Sequence, residues 1–305
     1  IELLMSYHTT RRAKGPAPHT IFDPGEIVHE MRLRKSPEEL AVMRSGAAAS
    51  AEAHRAAMAA AMPGMHEYEL EALIEYTFRR LGGNGPAYPS IVGSGANATI
   101  LHYIENTRRI EDGDLVLVDA GSEFGYYASD ITRTWPVSGR FSSEQRAIYE
   151  VVLEAQLEAI SRVRPGVTQH EIHEGVVRTM TSGLVQLGLI DGPVDEAIEK
   201  GTYKTFYMHK TGHYLGLDVH DVGKYKSGDA WRPLEEGMVI TIEPGLYVAE
   251  DCETVAPTWR GIGVRIEDDV LVTADGHEVL SEAAPKLVAD LERIVGSAAS
   301  AVTAR

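Results

Sequence analysis

The sequence predicts an α+β protein made of two pseudo-symmetric halves, each running helix, helix, strands, around a curved, mostly antiparallel sheet. Three observations carry that expectation. Helix start and stop signals occur as a pair before residue 85 and as a second pair after residue 140. After each pair the hydrophobic period changes from helical to strand-like, with frequent glycines. Two peptides of the first half also echo in the second: MPGMHEYEL (Met62 to Leu70) resembles RPGVTQHEI (Arg164 to Ile172), and EDGDLVLVDAG (Glu111 to Gly121) resembles EEGMVITIEPG (Glu235 to Gly245).

Residues 1–35 contain Pro16, Pro18, Pro24 and Gly25 without sustained periodicity and read as an arm or linker, so regular structure is expected from Ser36. Ser36-Pro37-Glu38-Glu39 combines an N-cap hydroxyl, a proline at the first helical position and a glutamate three residues on, opening a helix to about Met62 that Pro63-Gly64 stops. Leu70, Leu73, Ile74, Phe78 and Leu81 lie at helical spacing in a second helix, ended by Gly82-Gly83. From Pro89 to Val137 short apolar runs punctuated by Gly93, Gly95, Gly113, Gly121 and Gly125 read as strands and hairpins. Ser142 with Gln145 opens a third helix ended by Pro165-Gly166, and Thr168 with Glu171 a fourth ending near Gly188; strands return after Tyr203.

Composition narrows the function. The 305 residues are 44% hydrophobic and 24% charged, enough to bury a core as one large or two ordinary domains. Asp plus Glu number 45 against 29 Lys plus Arg, a net charge of -16, opposite in sign to what a phosphate backbone attracts, so nucleic acid is not an expected partner. The most apolar stretch, Ala41 to Met62, is interrupted by Arg44, Glu52, His54 and Arg55, so no membrane span is expected, and the opening residues lack signal-peptide character. The single cysteine, Cys252, excludes an internal disulfide framework and points to a reducing, cytoplasmic compartment.

The chemistry lies at the strand ends. A strand apolar on both faces that ends in Asp119 or Glu243 delivers a carboxylate into the interior. The duplication sets these two across an approximate two-fold axis. Asp130 follows Asp119 past Gly121 and Gly125, a spacing that lets antiparallel strands place both acids side by side, and Glu267 follows Glu243 past Gly245, Gly261 and Gly263. Buried bare carboxylates are costly, so the set requires cations. His213, within MHKTGHYLGLDVHDVG, adds an imidazole. Four carboxylates and one His make an oxygen-rich site for two divalent ions, manganese first, with cobalt or zinc as alternatives. Two such ions about 3.5–4 Å apart can share a water, lower its pKa and clamp a carbonyl oxygen under attack, which is metal-assisted hydrolysis.

From about Ser36 to Ala289 the chain resembles the aminopeptidase P (Xaa-Pro aminopeptidase) family of pita-bread metallopeptidases, through VDAGSEFGYYASDITRTWPVSG, HKTGHYLGLDVHDVG, ITIEPGLY and RGIGVRIEDDVLVT in that order. The resemblance implies a pita-bread catalytic domain over 36–305 and the same ligands, Asp119, Asp130, His213, Glu243 and Glu267. It also implies that His102, His209 and His220 line the active site, hold substrate carbonyls and move protons. Arg265 would orient a ligand carboxylate, and Glu243 would accept a proton from the attacking hydroxide's parent water and return it to the leaving proline nitrogen. The implied substrates are peptides beginning Xaa-Pro, with manganese as the usual metal; a homo-oligomer is compatible with it. Relatives carry an additional N-terminal domain, of which residues 1–35 would be the trailing linker, and GNGPAYPSIVGSG, which contains Tyr88, is slightly shorter than in close relatives.

Each residue also has a plainer reading. An Asp closing an apolar strand is commonly a turn residue, a histidine is commonly a hydrogen-bonded core or loop residue, and Arg265 could be a counter-ion. Agreement of five ligand positions outweighs these. His170 and His173 in HEIHE lack the two-His, four-apart zinc spacing and are expected on a surface helix; Gly93-Ser94-Gly95 lacks the Gly-Lys-Ser/Thr of a phosphate loop and is expected as a tight turn. Beside the aminopeptidase stand a prolidase restricted to Xaa-Pro dipeptides, which would share all five ligands, and a catalytically inactive binding module, which would be expected to have lost some.

Overall fold

Regular structure begins before Ser36. In the computed structural model, which describes residues 22–298 together with Glu2, Met5 and Ser6, a helix α1 (Gly25–Leu33) occupies the stretch expected to be irregular. The proline and glycine read as linker punctuation are instead its start, Pro24 presetting the backbone at φ -62°. Tertiary contacts hold it: Leu33 is fully buried, Arg32 pairs with Asp218 at 2.6 Å and with Asp221, and buried Lys35 lies 3.5 Å from Asp221. Pro16 and Pro18 fall outside the described residues.

Ser36 then caps α2 (Pro37–Ala60) by the reciprocal bonding its sequence anticipates: its hydroxyl accepts from the Glu39 amide at 3.3 Å, and Glu39 accepts from the Ser36 amide at 2.7 Å. The helices α3 (Glu67–Arg80), α4 (Ser143–Arg162) and α5 (Gln169–Gln186) also match expectation, the last two with capping boxes from Ser142 and Thr168. Two short helices were not anticipated, α6 (Val194–Lys200) and α7 (Val288–Ile294).

The first half contributes β1 (Gly85–Pro86), β2 (Ile91–Ser94), β3 (Leu115–Asp119), β4 (Ser122–Phe124), β5 (Tyr127–Ala128) and β6 (Thr132–Pro136), with β3 central between β2 and β6. The second contributes β7 (Lys226–Ser227), β8 (Ala230–Trp231), β9 (Val239–Ile242), β10 (Gly245–Val248), β11 (Ile262–Arg265), β12 (Asp268–Val272) and β13 (His277–Val279), with β12 central between β9 and β13. Every described strand pairing is antiparallel. The duplication is visible in register: β3 pairs with β6 through Asp119 and Thr132, and β9 pairs with β12 through Ile242 and Asp268. One apolar core spans both halves, joining Met58, Ile74 and Phe78 to Val116, Val118 and Trp135, then Tyr149 and Met180 to Ile240 and Val270. Among the described residues no helix is long and apolar enough to cross a membrane.

Candidate metal centre

The two central hairpins end at one place. Asp119 closes β3 and Asp130 lies just before β6; Glu243 follows β9 and Glu267 precedes β12. The turn region between the aspartates needs glycine at one point, because a Cβ on Gly121 would sit 1.7 Å from the Ser129 carbonyl oxygen. The halves are stitched directly at the site, the Glu267 amide donating to the Thr132 carbonyl at 3.0 Å. His213 arrives on a segment laid along β9: the Thr241 amide donates to its carbonyl, and its own amide donates to the Thr241 hydroxyl at 3.1 Å. That approach is as close as backbone allows, since a Cβ on Gly212 would lie 1.9 Å from the Thr241 oxygen.

All nine residues singled out in the sequence, His102, Asp119, Asp130, His209, His213, His220, Glu243, Arg265 and Glu267, line a single cavity of about 610 Å³. Ligating atoms of Asp130, His213 and Glu267 lie within 4.8 Å of one another, an arrangement able to hold a metal ion. His213 Nε2 is 3.3 Å from Asp130 and 3.7 Å from Glu243, while its Nδ1 faces the Tyr214 carbonyl at 3.0 Å, which fixes the ring. Asp119 is tied into the group through Arg265, whose Nη2 donates to it at 2.7 Å.

The donor set fits a divalent cation by its charge imbalance. Burial foremost, and then the neighbouring acids, push the carboxyls of Asp130 and Glu267 above their ordinary range, and Glu243 up to about 7 despite the attraction of His213 and Arg265. Burial would lower His213, but Asp130 and Glu243 outweigh it and raise the imidazole to about 9. The cluster gathers protons because it is short of positive charge, the deficit that a bound divalent ion removes.

Several contributors had no recognised signal in the sequence. The Tyr88 hydroxyl lies between Asp119 and Asp130, within hydrogen-bond distance of both at 2.7 and 2.6 Å, its one proton shared between them. Thr132 donates to Glu267 at 2.6 Å and accepts from Arg265 at 3.1 Å, and Tyr247 accepts from Arg265 at 3.0 Å and lies 2.9 Å from His209 Nε2. His209 Nδ1 faces the Lys210 carbonyl at 2.7 Å, and burial pushes its pKa down to about 4. By contrast the imidazoles of His102 and His220 make no hydrogen bond among the described residues. The expectation that His170 and His173 decorate a surface helix needs correction. They lie on α5 as expected, but on the face that forms the cavity wall, His170 stacked on Trp231 at 4.5 Å and His173 bonded to Thr211 at 2.8 Å. A helix periodicity argument could not tell that face from the solvent face, because the covering segments come from residues 207–231. Gly93 and Ser94 belong to β2 rather than to a turn.

Residues 41–274 match the metallopeptidase family M24. The chain belongs to that family. The Xaa-Pro aminopeptidase of Escherichia coli (strain K12) is 50% identical over 282 residues, covering 92% of this chain and 64% of that protein. This M24 chain therefore spans about 64% of the length of the curated relatives it matches first. Among solved structures, aminopeptidase PepP of Pseudomonas aeruginosa superposes with a TM-score of 0.96 at 52% identity, covering 98% of this chain and 68% of that one. A zinc-substituted E. coli aminopeptidase P in complex with product superposes at 0.93 with 49% identity, covering 97% and 67%. With the antiparallel halves described above, the M24 chain has the pita-bread architecture.

Proposed function

We propose that residues 36–305 form the catalytic domain of a metal-dependent aminopeptidase that releases the first residue from peptides beginning Xaa-Pro, with 1–35 leading into it. The observation that carries this reading is the convergence of four acids and His213 from both halves in one cavity of an M24 chain. Asp119, Asp130, His213, Glu243 and Glu267 would hold two divalent ions. Manganese is the expected ion on an oxygen-rich set, and the zinc-substituted relative shows that such a protein also accepts zinc. When bound, the ions supply charge that polarises the scissile carbonyl and acidifies the attacking water.

The remaining roles fall to the chain's own groups. Glu243, on the cavity wall, takes the proton of the attacking water and delivers it to the departing proline nitrogen. His102 and His220, whose rings make no hydrogen bond among the described residues, hold the substrate's carbonyl groups. His209, with Tyr247 and Arg265, forms the wall around the proline and keeps Asp119 oriented. The acids beside the ions would hold the free amine. A prolyl amide has no N–H, so a pocket dedicated to it is required.

The test compares four peptides on metal-loaded protein: an Xaa-Pro-Xaa tripeptide, its N-acetylated form, the Xaa-Ala analogue and the Xaa-Pro dipeptide. The expected result is cleavage of the first alone at a high rate, abolished by chelator and restored by manganese. Preference for the dipeptide would move the assignment to prolidase, and cleavage of none would favour a chain that is inactive without the remaining length of its relatives. Sedimentation of the same sample reads whether the chain is a homo-oligomer, and the single Cys252 supports a cytoplasmic setting.

A further inference from the structure

His102 is exposed at the cavity and has no hydrogen bond of its own among the described residues, so its position depends on the loop that carries it. We propose that Glu67 is the positioning residue that clamps this loop, an inference that rests on reading His102 as a substrate-holding group. Glu67 is the first residue of α3 and is fully buried. One carboxylate oxygen accepts from the Ser94 amide at 2.7 Å, the Ser94 hydroxyl at 2.7 Å and the Asn97 side-chain amide at 3.2 Å. The other accepts from the Tyr103 hydroxyl at 2.7 Å and the Arg108 amide at 2.9 Å. Ser94 and Asn97 precede His102, and Tyr103 and Arg108 follow it, so one side chain closes the loop from both ends.

Helix capping does not explain this carboxylate. The α3 cap is already made by Glu69, which accepts from the His66 amide at 2.7 Å. All five partners of Glu67 are donors, which a carboxylate satisfies and a carboxamide does not, since its NH2 would face N–H and O–H groups. The loop has a second anchor beside the histidine, Leu101, packed with Ile91, Ala98, Leu117 and Tyr247. Tyr247 also contacts His209 and Arg265, so the clamp and the cavity wall share one cluster.

The test is a double-mutant cycle on the full, metal-loaded chain with an Xaa-Pro-Xaa peptide. Glu67→Gln should lower kcat/KM by about 10- to 100-fold, the scale of a small misplacement, with metal content unchanged, and should cost nothing further in a His102→Ala background. Tyr103→Phe, which removes one donor and no charge, should act in the same direction more weakly and covers the case in which Glu67→Gln fails to fold. Hydrogen exchange supplies a readout independent of turnover: both variants should speed exchange at the amides of Ser94 and Arg108 while residues 115–119 stay protected. Losses that add in full to that of His102→Ala, or unchanged exchange at those amides, would overturn the positioning role. If His102→Ala alone left kcat/KM intact, the reading of His102 itself would fail and carry the proposal with it.

Discussion

Glu267 and Asp268 are neighbours in sequence, both buried, yet they live in opposite electrostatic worlds. Strand alternation sends them to different faces. Asp268 accepts from Arg133, Lys286 and Ser281 at 2.6 Å each and from Gln156 at 2.7 Å; burial opposes its charge, but Arg133 and Lys286 hold its carboxyl down to about 2. Glu267 accepts from the Thr132 hydroxyl at 2.6 Å, and burial foremost, then the charges of Asp130, Glu243 and Asp119, push its carboxyl far up against the attraction of Arg265. On one face a single acid has two cations of its own. On the other, Asp119, Asp130, Glu243 and Glu267 share Arg265 and His213. The same backbone thus carries a finished ion pair network and an unfinished one, and the unfinished face is where a ligand of opposite charge belongs.

Breaking the unfinished face should destroy function without harming the fold. Asp130→Asn removes an acid from the Asp130, His213 and Glu267 trio, so dialysed protein should retain little divalent metal and lose at least about 10³-fold in turnover, as expected when several kcal/mol of charge stabilisation is withdrawn. The unfolding midpoint in chelator should not fall. Stoichiometric metal in the variant with full turnover would mean that the surplus of acid serves something else.

Breaking the finished face should do the reverse. Asp268→Asn strands the buried Arg133 and the half-buried Lys286 and is expected to cost about 3–5 kcal/mol of stability, whereas Glu267→Gln in metal-free protein replaces a carboxyl already held toward its neutral form and should cost nothing. Urea unfolding of the two variants side by side decides it; equal destabilisation would erase the contrast.

The contrast also carries a pH signature. Glu243 has a folded pKa of about 7 against an ordinary 4.5, so between those values the folded state binds more protons than the unfolded. Its contribution is therefore full below about 4.5 and is lost as pH rises through 7, worth up to about 3 kcal/mol. Chelated wild type should lose stability relative to Glu243→Gln across that window. Metal binds the deprotonated acids, so loading should cancel the slope. Parallel profiles for the two proteins in chelator would show that Glu243 does not titrate as described.

Much of this was legible because the relevant patterns are local. An apolar strand ending in Asp119 or Glu243, glycines after it and a second acid downstream are all contiguous in sequence, and the echo between Glu111 to Gly121 and Glu235 to Gly245 exposed the two halves. What stayed hidden depends on contacts between distant segments. Thr132 matters because Arg265 and Glu267 of the other half close on it, and Tyr88 because both aspartates reach its hydroxyl. His173 faces the cavity only because Thr211 and Tyr207 lie over α5. Helix α1 is hidden for the same reason: Arg32 and Leu33 find their partners in the remote 214–221 segment and the core, and no capping pattern announces them.

The smallest expected effect separates charge from packing on the finished face. Lys286→Met keeps most of the aliphatic stem and leaves Arg133 paired with Asp268, so it removes the charge-assisted hydrogen bonds of Lys286 to Asp268 and to Gln156 without stranding an ion. The cost should be about 1.5–3 kcal/mol near neutrality. Its pH dependence follows from Asp268, whose folded pKa of about 2 lies below its ordinary 3.8. Such a group stabilises the fold above the unfolded value and loses that contribution as pH falls through the folded one. Losing Lys286 moves the folded pKa back toward 3.8, so wild type has more to lose on acidification. The stability gap between the two proteins should be constant from neutrality down to about pH 4 and narrow below it. Urea unfolding at a series of pH values reads this directly. A gap that persists unchanged into that acid range would assign the effect of Lys286 to packing of its stem and not to the charge it brings to Asp268.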